Sequence, residues 1–386
     1  MIRPSKSPPR FSKGISANRS SRPRLQTVFD PLPTNAPVNV LQLFLPAPAR
    51  HSQTKTQVMP NRSHEKGRQF NRRELFRTAG ALMVGTMVES IARAEPVKKE
   101  PSLIQIGIFL STFRGKTLED RLDAVKASGL NCVQLGMDSA GLAAMPDEIA
   151  PELLARIRRE AGDRGIEIAS LQGTFNMCHP DAEQRKAGVR RIGVLAAACQ
   201  QLGTPRIHLC TGTRHRTGMW SRHPDNDTPE AWQDMVACVR EAVEIAKPSG
   251  ATLAFEPEVN NVVDSAKKAR RLMDEVGSPR LKVTMDAANL FHAGELAQMS
   301  TVLDEAFALV GKDVVMAHAK DVAHDGDAGH EPAGHGKLDY QRYLSLLHAS
   351  GFKGPLFLHG LSEAQVPGCV AFLREKMSLV AAAISK

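Results

Sequence analysis

The chain has 386 residues, of which 42% are hydrophobic and 24% charged, proportions typical of a folded protein with an apolar core. Its net charge of +9 is unevenly distributed. Residues 1–94 hold 16 Lys and Arg and 4 Asp and Glu, whereas residues 95–386 hold 34 Lys and Arg and 37 Asp and Glu. The first segment therefore carries +12 and the remainder −3, which argues against a basic nucleic-acid-binding groove in the main body of the chain.

Residues 1–58 are rich in Pro, Ser, Arg and Asn and show no sustained hydrophobic period, so we expect this segment to be disordered. Met59 offers an alternative translation start, in which case residues 1–58 would not be part of the protein. The segment 59–94 contains NRRELFRTAGALMVGTMVESIARA, with Arg72 and Arg73 followed by a mostly apolar stretch at 79–91 and the small-x-small run Ala92-Arg93-Ala94.

This pattern resembles a twin-arginine export signal. The resemblance implies recognition by the twin-arginine export machinery, export of a folded and cofactor-loaded protein, and an extracytoplasmic location. The alternatives are a mitochondrial-type presequence or a chance amphipathic helix. The apolar stretch is short for a membrane span, and no later run of 18 apolar residues follows, so we expect no stable membrane insertion after processing.

From residue 103 onward, short apolar strands alternate with longer amphipathic helices, of which several end in Gly, as helix C-termini prefer. The eight predicted strands are 104–110, 132–137, 167–173, 206–210, 252–256, 282–286, 314–318 and 356–359. Eight such units predict an α/β fold, a (β/α)8 TIM barrel spanning residues 95–386. The alternative is a doubly wound open sheet, but the first strand is followed by STFRGKT, which lacks the glycine-rich phosphate turn typical of that fold.

The six cysteines form no C-x-x-C pair, and several lie within apolar strand or helix patterns. We interpret them as small buried hydrophobic residues, in preference to a disulfide framework or a thiolate metal site.

Ionisable side chains end the last four predicted strands: Glu256, Asp286, His318 and His359. The C-terminal ends of barrel strands meet at one rim, where the active sites of such folds lie. Two carboxylates and two imidazoles form a suitable ligand set for one divalent ion such as Mn, Zn, Co or Fe. The sequence therefore predicts a metal site at this rim.

The ordered motifs FEPE, TMDAANL, HAKD, GHGKLDY and LFLHGLSE resemble the xylose isomerase-like sugar isomerase and epimerase superfamily over about residues 103–380. The resemblance implies a divalent metal held by Glu256, Asp286 and His318. Epimerases of that superfamily normally end the eighth strand with a glutamate that is both ligand and acid/base, whereas this chain has His359.

The same resemblance implies a sugar or cyclitol ketose as substrate and an enediolate formed next to its carbonyl, with Glu256 as the first candidate base. The second acid/base would then be His359, Glu258 or another group. If no group acts as the second acid/base, a lyase or hydrolase acting on an oxidised glycoside, or a non-catalytic carbohydrate-binding barrel, becomes the better interpretation.

Other polar residues near the predicted strand ends are candidates for substrate binding. They are His208, Gln134, Gln172, Glu258, Lys320, Asp321 and His330. For Lys320 and Asp321 we also consider a role in orienting the site, and for His208 and His330 simple packing or exposure. His324, Asp325 and Asp327 are predicted to lie in a solvated loop. Asn289 stands where many relatives have a histidine, which argues against a multi-zinc nuclease site.

Overall fold

The computed structural model describes residues 104–385. The predicted disordered segment 1–58 and the predicted export signal 59–94 lie outside the described residues. Within residues 104–385, no helix is both long and apolar enough to span a bilayer.

A closed barrel of eight parallel strands forms the centre of the fold, as the sequence predicts. The strands are β1 Gln105–Phe109, β2 Cys132–Leu135, β3 Glu167–Gln172, β4 Arg206–Cys210, β5 Thr252–Glu256, β6 Leu281–Asp286, β7 Val314–Asp321 and β9 Pro355–Leu358. Each strand pairs with the next in parallel, and β9 pairs with both β7 and β1, which closes the ring. The two-residue strand β8, Glu331–Pro332, pairs antiparallel with the end of β7.

Eight α-helices in the described residues surround the barrel. They are α1 Leu118–Ala127, α2 Pro151–Asp163, α3 Ala182–Leu202, α4 Pro229–Ala246, α5 Ala266–Val276, α6 Met299–Val310, α7 Tyr340–Ala349 and α8 Val366–Ile384. Thr117 begins α1 with a capping box that it shares with Asp120, and the predicted glycine stop after α1, Gly129, adopts a positive φ of 69°.

Strand side chains alternate between two separate cores. Inward-facing residues fill the lower barrel: Phe109, Cys132, Ala169, Ala254, Met316 and Phe357. Outward-facing residues such as Val133, Leu253 and Val283 join the larger core between strands and helices. The alternation has a period of two, so residues two positions above the inward-facing ones line the barrel mouth. All six cysteines are buried and free, as predicted.

The ends of the two strands that carry His318 and His359 differ from the sequence prediction. β7 continues three residues past His318 to Asp321, because its last two residues pair with β8. β9 ends at Leu358, so His359 is the first residue after the strand. His318 is therefore an inward-facing residue within a strand, at the level of Asp286, with which it is paired in the β6–β7 ladder.

Candidate active site

The four predicted ligand residues converge at the barrel mouth. Among the described residues, two groups of metal-ligating side chains lie close enough to hold an ion: His208 with Glu256 and His318, and Asp286 with His318 and His359. The ligand atoms in each group are within 4.8 Å of one another. His318 belongs to both groups and is fully buried.

Glu256, the last residue of β5, contacts three polar side chains of the site. Its Oε1 accepts a hydrogen bond of 2.6 Å from Asn289 Nδ2 and lies 3.6 Å from His318 Nδ1, while its Oε2 lies 3.3 Å from His208 Nε2. Burial would raise the pKa of Glu256, but its polar neighbours, led by the imidazole of His318, outweigh burial and hold that pKa well below its usual range. The carboxylate is therefore ionised at neutral pH.

Asp286, the last residue of β6, is fully buried between a lysine and a histidine. Its Oδ2 lies 3.3 Å from Lys320 Nζ and 3.7 Å from His318 Nδ1. Burial would lower the pKa of both basic groups, yet the facing carboxylates outweigh it: the pKa of His318 is raised to about 9, and that of Lys320 is raised above its usual value. This part of the site therefore attracts positive charge.

His359 lies against the wall formed by β1. Its ring stacks on Phe109, with ring centroids 4.3 Å apart and an angle of 10° between the planes. Burial, reinforced by the nearby charge of Lys320, holds the pKa of His359 well below its usual range. Its Nδ1 is buried and has no hydrogen-bond partner, so a neutral ring presents a free nitrogen to the site.

His208 lies deeper than the sequence predicts. It is two residues before the end of β4 and pairs with Ala254, one interior layer below Glu256. Its Nδ1 contacts Thr284 Oγ1 at 3.1 Å and its Nε2 faces Glu256. Burial lowers the pKa of His208. The ring forms the floor of the site, below the rim position that was expected of a substrate-binding residue.

Glu258 is the third carboxyl of the site. Its Oε2 accepts a hydrogen bond of 2.9 Å from Asn261, whereas its Oε1 is buried without a partner. Burial, together with the charge of Glu256, raises the pKa of Glu258 to about 8. Pro257 ends the strand before Glu258, yet the side chain still lies close enough to sense Glu256, Lys320 and Asp286.

The predicted glutamine contacts lie across the mouth on β2 and β3. Gln134 is 1% exposed, and neither atom of its amide has a hydrogen-bond partner. Gln172, the last residue of β3, is half-buried and donates a long hydrogen bond of 3.4 Å to Thr174. A polyol offers the hydroxyl groups that such amides could bind.

Two predicted substrate contacts have other roles in the structure. Asp321 accepts backbone N–H bonds from Val322, Gly334 and Leu338, so its carboxylate is used in holding the loop after β7. The side chain of His330 is 71% exposed and its nearest charged partner is Asp327, at 3.5 Å. Asp321 therefore orients the site by holding this loop, and His330 lies on the surface.

The loop after β7, predicted to be solvated, is partly held by hydrogen bonds to neighbouring loops. Asp325 is half-buried and accepts backbone N–H bonds from Gly294 and Leu296. Asp327 accepts a hydrogen bond of 2.6 Å from Asn260 in the loop after β5. His324 is exposed as predicted.

Unpaired polar atoms are concentrated at this site. In residues 104–385, eight buried side-chain polar atoms have no hydrogen-bond partner, and the one outside the site belongs to Thr204. The other seven are the two amide atoms of Gln134, Glu258 Oε1, Asp286 Oδ2, both ring nitrogens of His318 and His359 Nδ1. Buried polar atoms rarely go unpaired unless they bind something else. Imidazole nitrogens and carboxylate oxygens are the donors that a transition-metal ion takes, so this set fits a divalent ion.

Sequence reasoning missed three contributors to the site. Phe109 supports His359 and Thr284 supports His208, and neither side chain carries a charge that would mark it. Asn289 was considered only as a lost histidine, but it donates directly to Glu256. Its position three residues after Asp286, in the turn that follows β6, was the available signal.

Comparison with known proteins finds several similar proteins, of which some are named as epimerases. It is 23% identical over 265 residues to L-ribulose-5-phosphate 3-epimerase of Escherichia coli, an alignment covering 67% of this chain and 88% of that protein. Two similar solved structures are 3-keto-D-glucoside 4-epimerase from E. coli (17% identity, TM-score 0.54, 70% of this chain and 99% of that chain) and a xylose isomerase-like protein from Mycobacterium smegmatis in complex with magnesium (15% identity, TM-score 0.55, 73% and 98%). At these identities, the two structures support the fold alone.

The family described as xylose isomerase-like TIM barrel matches residues 122–375, which include β2 to β9 and seven of the eight strands of the barrel. The match agrees with the closed parallel barrel. The chain belongs to the xylose isomerase-like TIM-barrel family.

Proposed function

We propose that the protein is a metal-dependent isomerase or epimerase that acts on a sugar or cyclitol ketose. A relative that aligns with 67% of the chain is named as a sugar epimerase, which supports an enzyme of this class. The observation that carries the proposal is the set of seven buried polar atoms without a hydrogen-bond partner, which converge on one barrel mouth. Nitrogen and carboxylate donors lie together there, beside amides suited to hydroxyl groups.

In this proposal, Glu256, Asp286 and His318 hold one divalent ion, and His359 is a fourth ligand or an acid/base. A bound divalent ion would polarise the substrate carbonyl and stabilise negative charge on its oxygen. The donor set of this site supports a divalent ion, and the similar M. smegmatis structure is one in complex with magnesium. The three imidazoles of the site favour Zn, Fe or Co over Mg.

Proton transfer next to the carbonyl requires a base and, for epimerisation, a second acid/base group. Glu256 is ionised and oriented by Asn289, so it can accept the α-proton and leave an enediolate. An epimerase must return a proton to the opposite face. His359 follows β9, three strands from β5 in the ring, and its Nδ1 is free. Glu258 Oε1 is the second candidate for this step, because it is also unpaired.

Solvent exchange tests this proposal and separates the candidates. The full chain, supplied with a divalent ion, is incubated in D2O with a panel of ketoses, inososes and keto-glycosides, and deuterium is located by NMR. We expect uptake at the carbon next to the carbonyl, and we expect Glu256→Gln to abolish it. The surface substitution Glu305→Gln is the matched control, since Glu305 is exposed on α6.

The variant that lacks the second acid/base should behave differently from Glu256→Gln. It should still exchange the α-proton of the substrate but should form no epimer, because a proton can then be removed and returned on only one face of the substrate. We therefore compare His359→Gln with Glu258→Gln under the same conditions. No deuterium uptake with any ketose of the panel, with the metal-loaded wild type, would contradict the isomerase and epimerase proposal.

A second candidate function follows from the imidazole of His359 and its stacking on Phe109. Lacking a carboxylate at that position, the site could instead act as a lyase or hydrolase on an oxidised glycoside. Release of free sugar without deuterium in the recovered glycoside would favour direct hydrolysis. Binding without turnover, unchanged by Glu256→Gln, would favour a carbohydrate-binding barrel.

We also propose that the protein is exported by the twin-arginine route, on the basis of Arg72, Arg73 and the apolar stretch that follows them. Export would disfavour sugar phosphates as substrates, because these are mainly cytoplasmic.

A further inference from the structure

We propose that His208 is an additional protein ligand of the metal ion, coordinating through Nε2, and that Thr284 is the positioning residue that fixes the required tautomer. This inference rests on the metal dependence proposed above and changes its ligand set. The sequence assigned His208 to substrate binding at the rim, whereas the structure places it on the floor of the site, facing Glu256.

A short hydrogen-bond chain sets the tautomer of His208. Thr284 Oγ1 donates to the carbonyl oxygen of Ala254 at 3.2 Å and contacts His208 Nδ1 at 3.1 Å. A hydroxyl has one proton. If Thr284 gave that proton to His208, its oxygen and the Ala254 carbonyl would face each other without a hydrogen between them. Both contacts are satisfied when the Nδ1–H of His208 donates to Thr284 and Thr284 donates to Ala254.

The opposite nitrogen of His208 then presents a lone pair to a carboxylate. With the proton on Nδ1, Nε2 of the neutral ring is an acceptor, and it lies 3.3 Å from Glu256 Oε2, also an acceptor. His208 is 2% exposed and Glu256 3% exposed, so water screens this contact poorly. Two facing acceptors in a buried site repel one another unless a cation lies between them.

The spacing suits a shared metal ion. Two tetrahedral ligands, each about 2.1 Å from one ion, lie roughly 3.4 Å apart. The separation of His208 Nε2 and Glu256 Oε2 is 3.3 Å, and these two residues form one ligand group with His318. The arrangement also matches a common pattern in metal sites, in which a ligating histidine donates its other N–H to a neighbouring group that fixes the ring.

The alternative is a doubly protonated His208 that forms an ion pair with Glu256. In that case the ring would compete with a metal ion for the carboxylate, and removing the imidazole would leave metal affinity unchanged or increase it. The two arrangements therefore predict opposite effects of the same substitution.

Metal binding to the full chain distinguishes them. The chain is stripped with a chelator, and its affinity for Zn²⁺ is measured by calorimetry with a competing chelator. The visible spectrum of the Co²⁺-loaded protein is recorded in parallel. His208→Asn removes the Nε2 donor and retains a side-chain amide near Thr284. We expect it to weaken Zn²⁺ binding at least about tenfold and to alter the Co²⁺ spectrum.

Two substitutions at Thr284 test the positioning role. Thr284→Val removes the hydroxyl with little change in volume and should weaken Zn²⁺ binding by about 10–100-fold. Thr284→Ser retains the hydroxyl and should bind within about threefold of wild type, because it retains this second-shell hydrogen bond. The control is Ser170→Ala, since Ser170 is a fully buried barrel hydroxyl that bonds only to the carbonyl of Leu171.

Each outcome decides the assignment. If His208→Asn binds Zn²⁺ as tightly as wild type with an unchanged Co²⁺ spectrum, or if Thr284→Val and Thr284→Ser bind equally well, the inference is wrong. Should Thr284→Val fail to fold, the affinity and spectrum of His208→Asn decide alone. A wild-type chain that binds no ion would overturn the proposed metal dependence as well. That result is distinguishable from metal binding that is unaffected by substitutions at His208 and Thr284.

Discussion

Lys320 forms a buried ion pair with Asp286, and replacing it should cost the fold far more than replacing a lysine in a shorter pair on the surface. Lys320 Nζ lies 3.3 Å from Asp286 Oδ2, and the two side chains are 8% and 0% exposed. On α3, Lys186 Nζ lies closer to Glu183 Oε1, at 2.9 Å, but these side chains are 61% and 76% exposed. Distance alone ranks the Lys186 pair as the stronger, whereas burial predicts the reverse.

The magnitude follows from the environment of Asp286. At 3.3 Å and an effective dielectric constant of about 20, two unit charges interact by roughly 5 kcal/mol. Removing one partner of a buried pair destabilises a protein by about 3–5 kcal/mol, since the remaining charge stays buried without a counter-charge. At this site His318, whose pKa is raised to about 9, remains 3.7 Å from Asp286 Oδ2 and supplies part of the counter-charge. We therefore expect Lys320→Met to lower the free energy of unfolding by up to about that amount, and the melting temperature by up to about 6–10 °C.

Thermal unfolding of the full chain, followed by circular dichroism in the presence of a chelator, measures the effect. Lys186→Met is the matched control, and we expect it to melt with wild type because its pair is solvated. Lys320→Arg retains the charge and should lose less stability than Lys320→Met. The reasoning is refuted if Lys320→Met melts within about 2 °C of wild type, or if Lys186→Met loses as much stability.

Three further predictions concern the rim, the barrel base and export. Gly360 has a φ of +69° and an added Cβ would lie 3.2 Å from Lys320 Cδ, whereas Gly351 has a φ of +76° and open space around it. In urea unfolding, Gly351→Ala should therefore cost about 1–2 kcal/mol of backbone strain and Gly360→Ala more; equal losses would show that the Lys320 contact is unimportant. At the barrel base, burial opposes the lowering of the Asp313 pKa, but Lys282 and Arg270 outweigh it. This lowered pKa gives stability that is present above the unfolded-state pKa and is lost as pH falls through the folded-state value. Asp313→Asn should thus lose up to about 1 kcal/mol at pH 7, and urea titrations should show the difference from wild type shrinking below about pH 4; a difference independent of pH would contradict this. Finally, Arg72→Lys with Arg73→Lys should retain the full-length precursor in the cytoplasm on cell fractionation, and unchanged processing would rule out the twin-arginine route.

The barrel and the residues that line its mouth could be predicted from the sequence for a simple reason. Strand side chains alternate with a period of two, and parallel strands joined by helices present their C-terminal ends on one side. These rules place Glu256 and Asp286 at the last positions of β5 and β6, as the structure has them. His318 and His359 reach the same mouth although their strands end at other residues than predicted.

The tertiary structure alone decided which side chains share a level and which atoms meet. That depends on the stagger between neighbouring strands, which is a property of the closed ring that no single strand pattern encodes. The stagger places His208 one layer below Glu256 with Thr284 beside it, and it brings Asn289 back onto Glu256. Whether Asp321 faces the cavity or holds the loop after β7 was likewise settled by the short pairing of β7 with β8. The sequence determined the chemistry available at the barrel mouth, and the closure of the barrel determined which of those groups can act together.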